Sequence, residues 1–498
     1  MSKTKLCATV VGKTIEELRS ARDTQFGADL VELRLDTLEK PDVAGALAGR
    51  TVPVVVTCRP LWEGGCFTGS EVERRDLLLE AQRLGAEYID VEYRSNFSEQ
   101  LVQRSGGSGI VVSYHDFDRT PNGLPELYRN MRRTGAEVVK IATQVDSLCQ
   151  GIQVMSLGTS REPRVLIGMG AAGVATRLLA SRFKTSWSYA GDGIAPGQID
   201  LAQMRDQYRF SEISFLTEIY GVIGAPVMHS VSPAMHNAGF RESQFDAVYL
   251  PLAAKNIEDF IEFAQLIPIR GVSVTAPYKH SVEEYCLTRD EISHAVGAVN
   301  TLRMGAKGWT GTNTDVAGFL APISKRVPLL NLRCAVLGVG GAARAVVWGL
   351  LRDGAKVTCY ARNMDRGAAL SESLQVDVLP MPPETSSWDL LVNSTPVGTF
   401  PNVESTPLPA YRFEGQWVYD LVYNPTFTRL IRDASAVGCN TIGGLEMLVD
   451  QAVQQFKWWT GVDASAELFL KAGRQELDRR NKKEALMDRT KGNNGYDV

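Results

Sequence analysis

The chain has 498 residues, of which 44% are hydrophobic and 22% charged, and this composition is typical of a globular protein with at least two domains. Its formal net charge of -4 argues against a nucleic-acid or anionic-membrane partner, because both favour a basic surplus. No apolar run approaches the length of a membrane span, and the first residues lack the pattern of a signal or transit peptide. We therefore expect a cytoplasmic protein, or a plastid one only if a transit peptide has been removed.

The cysteines and histidines give no sign of a metal site or a disulfide framework. Eight cysteines are scattered along the chain without a CxxC pair, so we expect free thiols in a reducing compartment. Five histidines form neither an HxxxH pair nor a cluster with cysteine. The sequence therefore predicts no metal centre.

Residues 1–210 have the pattern of a (β/α)8 barrel. From residue 5 to about 190, eight short β-branched runs alternate with amphipathic helical stretches. In such a barrel the active site lies at the C-terminal ends of the strands, and polar side chains cluster there. These residues are Glu32, Arg34, Asp36, Arg59, Glu92, Arg94, His115 and Asp116. Each alone could be a buried ion pair or a helix cap, but their convergence favours a functional site.

The run VVKIAT, residues 138–143, places Lys140 within an otherwise apolar strand. An unpaired ammonium there would be costly, so burial favours the neutral amine that a Schiff-base lysine needs. The alternative is a lysine whose stem packs in the strand while its amine reaches water. The other polar residues at the barrel mouth favour the first interpretation.

Five segments of this half, ELRLD (32–36), TCR (57–59), SYHDF (113–117), VKIA (139–142) and APGQ (195–198), resemble in order and spacing the motifs of type I 3-dehydroquinate dehydratase. The resemblance covers roughly residues 5 to 210. It implies that Lys140 forms an imine with the substrate ketone, that His115 is the general base and acid, and that Glu92 orients His115.

The same resemblance implies the residues that hold the substrate. Arg177 would bind the carboxylate bidentately, and Glu32, Arg34, Arg59 and Gln198 would bind the hydroxyl groups and close the site. One departure is visible, because the family usually has serine where this chain has Ile194. Loss of that hydroxyl is expected to weaken substrate positioning without removing the chemistry.

The strongest pattern of the second half is CAVLGVGGAARAVVWGLL, residues 334–351. An apolar strand runs into Gly338, Gly340 and Gly341 and then into a helix, which is the context of a dinucleotide-binding fingerprint. The next strand ends in Arg362 rather than in the acidic residue typical of NAD sites. With Arg366 one turn later, two guanidinium groups suit a 2'-phosphate, so the sequence predicts NADP(H).

Seven segments of this half resemble shikimate dehydrogenase over residues 219 to about 470, and they are 230–237, 274–279, 300–301, 313–315, the glycine loop, 393–398 and 443–448 with Gln451. The resemblance implies that Lys279 and Asp315 are the catalytic pair, and that Lys279 protonates the carbonyl oxygen as hydride arrives. The substrate would be bound by Ser230, Ser232, Thr275, Asn300, Asp315 and Gln451. The cofactor would be bound by Gly338, Gly340, Gly341, Ala342, Arg362, Asn363, Arg366, Thr395 and Gly444. The family's usual Asn-Arg-Thr is Ala-Arg-Asn at residues 361–363, which is expected to weaken the preference for NADP.

The predicted fold class is therefore α/β, with a barrel in residues 1–210 followed by a two-lobed dehydrogenase-like unit. We expect a substrate-binding lobe in residues 219–325, completed by about 443–475, and a Rossmann lobe in 326–442. Residues 476–498 are charged and lack apolar periodicity, so a disordered tail is expected there.

Together the two resemblances imply a bifunctional enzyme that dehydrates 3-dehydroquinate and then reduces 3-dehydroshikimate to shikimate with NADPH. The implied partners are these small molecules, with no nucleic acid and no membrane, and the oligomeric state is left open. Two alternatives remain: a second half that prefers quinate, and a non-catalytic quinate-sensing regulator built on the same folds. Retention of Lys140, His115, Lys279 and Asp315 disfavours the regulator.

Overall fold

The structure is a computed structural model that describes residues 3–159, 161–191, 193, 195–384, 387–413 and 415–492. The chain forms two compact units. The first contains residues 1–218, 226–228 and 250–268, and the second contains 219–225, 229–249 and 269–498.

Eight parallel strands form the barrel of the first unit, in the order β7-β6-β5-β4-β3-β2-β1-β8. The strands are β1 Lys5–Val10, β2 Leu30–Arg34, β3 Val54–Thr57, β4 Tyr88–Glu92, β5 Ile110–Asp116, β6 Val138–Gln144, β7 Arg164–Met169 and β8 Trp187–Ala190. At the remaining seam, the backbone N–H of Ser186 donates to the carbonyl of Arg164 at 2.7 Å, which brings the starts of β7 and β8 together. The predicted barrel is confirmed.

Helices lie between the barrel strands, and most begin at a polar cap. They are α1 Ile15–Asp23, α2 Val43–Leu47, α3 Glu71–Arg83, α4 Ser98–Ser105, α5 Leu124–Arg133, α6 Leu148–Met155 and α7 Val174–Leu178. At α3, for example, Ser70 and Glu73 form a reciprocal capping box, which satisfies amides that the helix itself leaves free.

Alternation along each strand decides which side chains enter the barrel. On β6, Val138 and Ala142 belong to the inner core, whereas Val139 and Ile141 pack under the outer helices. Lys140 lies on the same face of β6 as Val138 and Ala142, so its side chain extends into the barrel.

The second unit contains a six-stranded mixed sheet in the order β10-β9-β11-β13-β14-β12. Its strands are β9 Glu218–Ile223, β10 Ala247–Leu252, β11 Ile269–Val274, β12 Cys286–Arg289, β13 Thr301–Met304 and β14 Trp309–Thr312. The helices of this region are α8 Ser232–Glu242, α9 Ile257–Leu266, α10 Glu291–Val296 and α11 Asp315–Ser324. Part of β10 and all of α9 fall within residues 250–268 of the first unit.

A second six-stranded sheet, entirely parallel, has the order β17-β16-β15-β18-β19-β20. Its strands are β15 Arg333–Leu337, β16 Lys356–Ala361, β17 Asp377–Pro380, β18 Leu390–Asn393, β19 Trp417–Asp420 and β20 Asn440–Gly443. The helices are α12 Gly341–Arg352, α13 Met364–Leu374 and α14 Arg429–Ala436. The strand order reverses between β15 and β18, and ligands of doubly wound sheets bind at such a switch point.

Two C-terminal helices, α15 Gly444–Thr460 and α16 Ala466–Gly492, pack on each other and on α8. The prediction of a disordered tail from residue 476 differs from the structure, because residues 476–492 continue α16. Glu476 and Leu477 are buried, and Glu476 pairs with Arg479 and Arg480. The sparse apolar residues of this segment hid the helix, since its contacts are partly ionic. Residues 493–498 lie outside the described residues.

Within the described residues, no helix combines the length and the apolar character needed to span a bilayer.

Candidate active sites

A cavity at the C-terminal ends of the barrel strands is lined by seven of the eight residues to which the dehydratase resemblance assigns a catalytic or substrate-binding role. Its lining includes Glu32, Arg34, Arg59, His115, Lys140, Arg177 and Gln198. The eighth, Glu92, is buried and does not line the cavity.

Lys140 is buried at the floor of this cavity and is held by two carboxylates. Its Nζ donates to Oε1 of Glu32 at 3.1 Å and to Oδ2 of Asp90 at 3.0 Å, and it lies 4.4 Å from the ring centre of Tyr189. Burial acts to raise the pKa of Glu32, but the charges of Lys140 and Arg34 overcome this effect and lower it. Lys140 is therefore paired, not isolated, in the free protein.

Asp90 was missed by the sequence reasoning although its position carried a signal. It lies two residues before Glu92 on β4 and therefore shares the inward face. Its Oδ1 lies 3.1 Å from Nη2 of Arg59 and accepts a hydrogen bond from Ser113 at 2.6 Å. Burial raises the pKa of Asp90, but Arg59 and Lys140 hold it below its usual range.

His115 is held by Glu63, not by Glu92. Oε1 of Glu63 lies 3.1 Å from Nδ1 of His115 and accepts a hydrogen bond from the His115 backbone N–H at 2.8 Å. Burial, together with the charges of Arg59 and Lys140, lowers the pKa of His115 well below its ordinary value, so the ring is neutral at neutral pH. Burial raises the pKa of Glu63 to about 7, although the charge of Arg59 opposes this change.

The expectation that Glu92 orients His115 is wrong. The Glu92 carboxylate binds Arg59 through Oε1 at 2.7 Å and Arg74 through Oε2, because β4 directs it toward these two guanidinium groups. Glu63 follows β3 in a short 3-10 turn, residues Leu61–Glu63. The sequence signal for Glu63 was its position, since it is a carboxylate just beyond a barrel strand and four residues after Arg59.

Arg177 is a buried guanidinium with few partners. Its Nη2 donates to the carbonyl of Pro196 at 3.1 Å, and its Nε has no hydrogen-bond partner among the described residues. Burial lowers the pKa of Arg177 to about 10, and no described carboxylate offsets this effect. A buried, incompletely paired guanidinium that lines a cavity is suited to bind an anion.

The 195–198 segment closes over the same cavity. The backbone N–H of Ala195 donates to Oε1 of Gln198 at 2.9 Å, which fixes the turn that carries this side chain. Arg34 is held by a bidentate pair with Asp36, at 2.9 and 2.7 Å. Ile194, where the sequence departs from the expected serine, lies outside the described residues.

In the second unit, Lys279 and Asp315 are in contact, as their predicted pairing requires. Nζ of Lys279 lies 2.5 Å from Oδ2 of Asp315, while Nδ2 of Asn300 donates to Oδ1 at 2.8 Å. The Asp315 backbone N–H donates to Oδ1 of Asn313 at 3.0 Å. These contacts fix the Asp315 carboxylate. The Lys279 side chain remains 15% exposed, so its amine is accessible from the solvent side.

The remaining residues predicted to bind substrate lie on the adjoining elements. Ser232 begins α8, and its backbone N–H donates to Oγ of Ser230 at 3.2 Å. Thr275 follows β11, and its backbone N–H donates to the carbonyl of Ile223 at 2.9 Å. Gln451 lies on α15, where its Nε2 donates to the carbonyl of Leu448 at 2.8 Å. Their binding roles stay predictions.

The glycine loop fits a bound dinucleotide. Gly338 has φ +105, which side chains disfavour, and Gly340 faces open space, where a Cβ would meet nothing within 4 Å. A Cβ on Gly341 would lie 3.2 Å from Cδ of Lys279, so the loop and the lysine are neighbours. Thr395 follows β18, the strand across the switch point, and its Oγ1 donates to Asn393 at 2.6 Å.

The end of β16 presents the two predicted arginines. Arg362 and Arg366 are exposed and form no ion pair with a described residue. Asn363 caps α13, because its Oδ1 accepts the backbone N–H of Arg366 at 3.0 Å. These unpaired guanidinium groups at a helix start suit a phosphate.

Gly444 begins α15 against the end of β19. A Cβ there would meet the carbonyl oxygen of Leu421 at 2.3 Å, so close backbone approach explains the glycine. Its contact with a cofactor, and that of Ala342, stay predictions. Among the described residues, no three His, Cys, Asp or Glu side chains form a group that could hold a metal ion.

Comparison with protein families matches the two halves separately. The family described as type I 3-dehydroquinase matches residues 6–214. The shikimate dehydrogenase substrate binding domain matches residues 222–302, and the shikimate 5'-dehydrogenase C-terminal domain matches 444–472.

A bifunctional 3-dehydroquinate dehydratase/shikimate dehydrogenase of Arabidopsis thaliana, described as chloroplastic, is 34% identical over 503 residues, covering 93% of this chain and 83% of the relative. The chain belongs to this bifunctional family. A shikimate dehydrogenase (NADP(+)) of Methanopyrus kandleri is 37% identical, covering 52% of this chain and 96% of the relative. A crystal structure of a shikimate dehydrogenase in complex with NADP+ is 32% identical, with a TM-score of 0.50, covering 53% of this chain and 97% of its own.

Proposed function

We propose that this bifunctional family member dehydrates 3-dehydroquinate in its barrel and reduces the product, 3-dehydroshikimate, to shikimate with NADPH in its second unit. One observation supports both steps. A single chain combines a buried strand lysine beside a neutral histidine with a lysine-aspartate pair beside a dinucleotide fold. The product of the first site is the substrate of the second.

In the barrel, Lys140 attacks the substrate ketone and forms an imine after loss of water. The amine must first lose its proton, and the carboxylates of Glu32 and Asp90, at 3.1 and 3.0 Å, contact the nitrogen that releases it. The positively charged iminium then withdraws electrons from the neighbouring carbon, so its proton becomes acidic.

His115 takes that proton and returns one to the departing hydroxide, after which water releases the product from Lys140. A neutral ring is required for the first transfer, and burial beside two cations keeps it neutral. Glu63, through Nδ1, orients the ring and stabilises the charge that develops when Nε2 accepts the proton. Glu63 is therefore a positioning residue in this proposal.

The substrate carboxylate binds Arg177, whose buried guanidinium lacks an acidic partner among the described residues. Gln198, on the segment that Arg177 also contacts through Pro196, closes over the bound ring. This arrangement links carboxylate binding to exclusion of water from the iminium.

In the second unit, Lys279 protonates the carbonyl oxygen of 3-dehydroshikimate while Asp315 holds the ammonium in place. NADPH supplies the hydride when it is bound at the switch point. Cδ of Lys279 lies 3.2 Å from the position that a Cβ on Gly341 would take, which supports a proton donor beside that site. Arg362 and Arg366 would supply positive charge for the 2'-phosphate.

A coupled assay with purified chain tests this function. Addition of 3-dehydroquinate and NADPH is expected to consume NADPH with little accumulation of the enone. Enone accumulation without NADPH loss would retain the barrel assignment and contradict that of the second unit. No change in either signal would contradict both activities and favour the regulator.

A further inference from the structure

We propose that Arg480, on helix α16, is a positioning residue that fixes the loop carrying Ser230 and so sets the affinity of the dehydrogenase site for its carboxylate substrate. The Ser230 loop is residues 229–231, immediately before α8. The inference rests on the proposed dehydrogenase function of this unit.

Arg480 binds the backbone of this loop at two points. Its Nη1 donates to the carbonyl of His229 at 2.5 Å, and its Nη2 donates to the carbonyl of Ser230 at 2.9 Å. These carbonyls lie outside both β9 and α8, so neither element supplies their hydrogen bonds. The bidentate contact therefore restrains the backbone that presents Ser230.

A buried carboxylate orients the guanidinium. Nε of Arg480 lies 2.6 Å from Oε1 of Glu476, which is only 4% exposed. One edge of the planar group thus faces Glu476 while the other faces the two carbonyls. A lysine could satisfy one of these partners but could not span them all, because an ammonium lacks the fork geometry.

Helix α16 is anchored well enough to transmit this restraint. Phe469 is buried among His236 and Phe456, with ring centres 5.4 and 5.8 Å away, and Leu477 is buried one turn before Arg480. The position of Arg480 is consequently tied to the same aromatic core that supports α8.

The chain offers a matched control. Arg479 binds the same carboxylate, with Nε 2.9 Å from Oε2 and Nη2 3.0 Å from Oε1 of Glu476. Replacing it removes the same charge from the same turn of α16. Arg479→Ala is therefore expected to leave substrate affinity close to that of the unmodified chain.

The test combines kinetics of shikimate oxidation with hydrogen exchange of the loop in the full chain. Arg480→Ala is expected to raise KM for shikimate about tenfold, with KM for NADP+ and the dehydratase rate unchanged, because two charge-assisted hydrogen bonds are lost. Arg480→Lys should recover only part of this loss. Without ligand, amides of residues 229–231 should exchange faster in Arg480→Ala than in Arg479→Ala.

Unchanged loop exchange in Arg480→Ala would overturn the proposal whatever the activity. It would also be overturned by equal rises in KM for shikimate and NADP+, or by equal effects of Arg479→Ala. If the unmodified chain failed to oxidise shikimate, the dehydrogenase assignment would fail first, and the exchange comparison would still decide whether Arg480 restrains the loop.

Discussion

Oε1 of Glu63 lies 3.1 Å from Nδ1 of His115 and accepts the backbone N–H of the same residue at 2.8 Å. This double contact fixes both the ring and the strand end that carries it. An ionised Glu63 can only accept a hydrogen bond, so Nδ1 then carries the proton and Nε2 is the ring nitrogen available to the substrate.

Glu63→Gln is expected to lower kcat of the dehydratase by about 100-fold, the scale of positioned acid-base catalysis. The reason is that an amide cannot stabilise the imidazolium that forms during proton transfer. Initial rates with 3-dehydroquinate measure the effect, with Glu39→Gln, an exposed carboxylate of the same barrel, as the control. Equal rates for Glu63→Gln and the unmodified chain would remove Glu63 from the mechanism.

The raised pKa of Glu63, about 7, predicts a pH dependence with a defined sign. Below this pH the carboxyl is protonated and no longer stabilises a positive His115, so the dehydratase rate should fall as the pH is lowered through 7. In Glu63→Gln this inflection should be absent. A profile whose inflection persists in the variant would assign it to another group.

Lys140→Ala should abolish dehydratase turnover, because no other described residue replaces the amine at that point of the cavity. Borohydride reduction in the presence of 3-dehydroquinate should attach the substrate to a peptide that contains Lys140, as mass spectrometry would detect. Lys13→Ala, at an exposed lysine of the same unit, should still be labelled at Lys140. A trapped adduct elsewhere, or retained turnover in Lys140→Ala, is incompatible with the imine mechanism.

Asp315→Asn should lower the reductase kcat by about 100-fold while leaving NADPH binding nearly unchanged. The substitution removes the charge that holds Nζ of Lys279 at 2.5 Å but retains the shape of the side chain and its contact with Asn300. Stopped-flow single turnovers and NADPH fluorescence titration separate the two quantities. A large loss of NADPH affinity would place Asp315 in the cofactor site instead.

Arg362→Ala should raise KM for NADP+ about tenfold and leave KM for NAD+ unchanged, because only NADP+ carries the 2'-phosphate. Arg352→Ala, which removes an exposed arginine paired with Asp353 in the same lobe, is the control. Parallel effects on both cofactors would contradict the phosphate contact.

Burial of His236 predicts a loss of stability in acid. Burial lowers the pKa of His236 to about 3 from 6.5, an effect that contact with Gln455 partly offsets. Between these pKa values the unfolded chain binds a proton that the folded chain does not, so the free energy of unfolding decreases as the pH falls from 6.5 toward 3. The slope is about 1.4 kcal/mol per pH unit.

His236→Phe removes this titration while retaining an aromatic ring beside Tyr249, whose ring centre lies 4.3 Å away. Urea unfolding at two pH values, one on each side of 6.5, should show that acid lowers the free energy of unfolding less in the variant than in the unmodified chain. Identical losses in both proteins would show that His236 is protonated equally in the two states.

The sequence predicted both folds because their periodicities are strong. Alternating apolar runs specify the barrel strands, and the glycines after β15 specify the switch-point loop. The lysines were found for a related reason, since a charged residue is conspicuous within an apolar strand or directly after one. Their partners were harder to identify, because pairing depends on which strands become neighbours.

Glu63 and Glu92 illustrate that difference. Glu92 ends β4 and Glu63 follows β3, and either could reach a histidine from its place in the sequence. Only the three-dimensional arrangement shows that the Glu92 carboxylate binds Arg59 and Arg74, and that Glu63 is the carboxylate in contact with His115. Arg480 was hidden for another reason, because ionic contacts within a charged helix leave no apolar periodicity to detect.

The most direct test of two independent sites on one chain is a complementation assay with Lys140→Ala and Lys279→Ala. Lys140→Ala should reduce 3-dehydroshikimate but leave 3-dehydroquinate untouched, whereas Lys279→Ala should convert 3-dehydroquinate to the enone and stop. An equimolar mixture should then convert 3-dehydroquinate and NADPH to shikimate. Loss of both activities from either substitution, or an inactive mixture, would contradict the account.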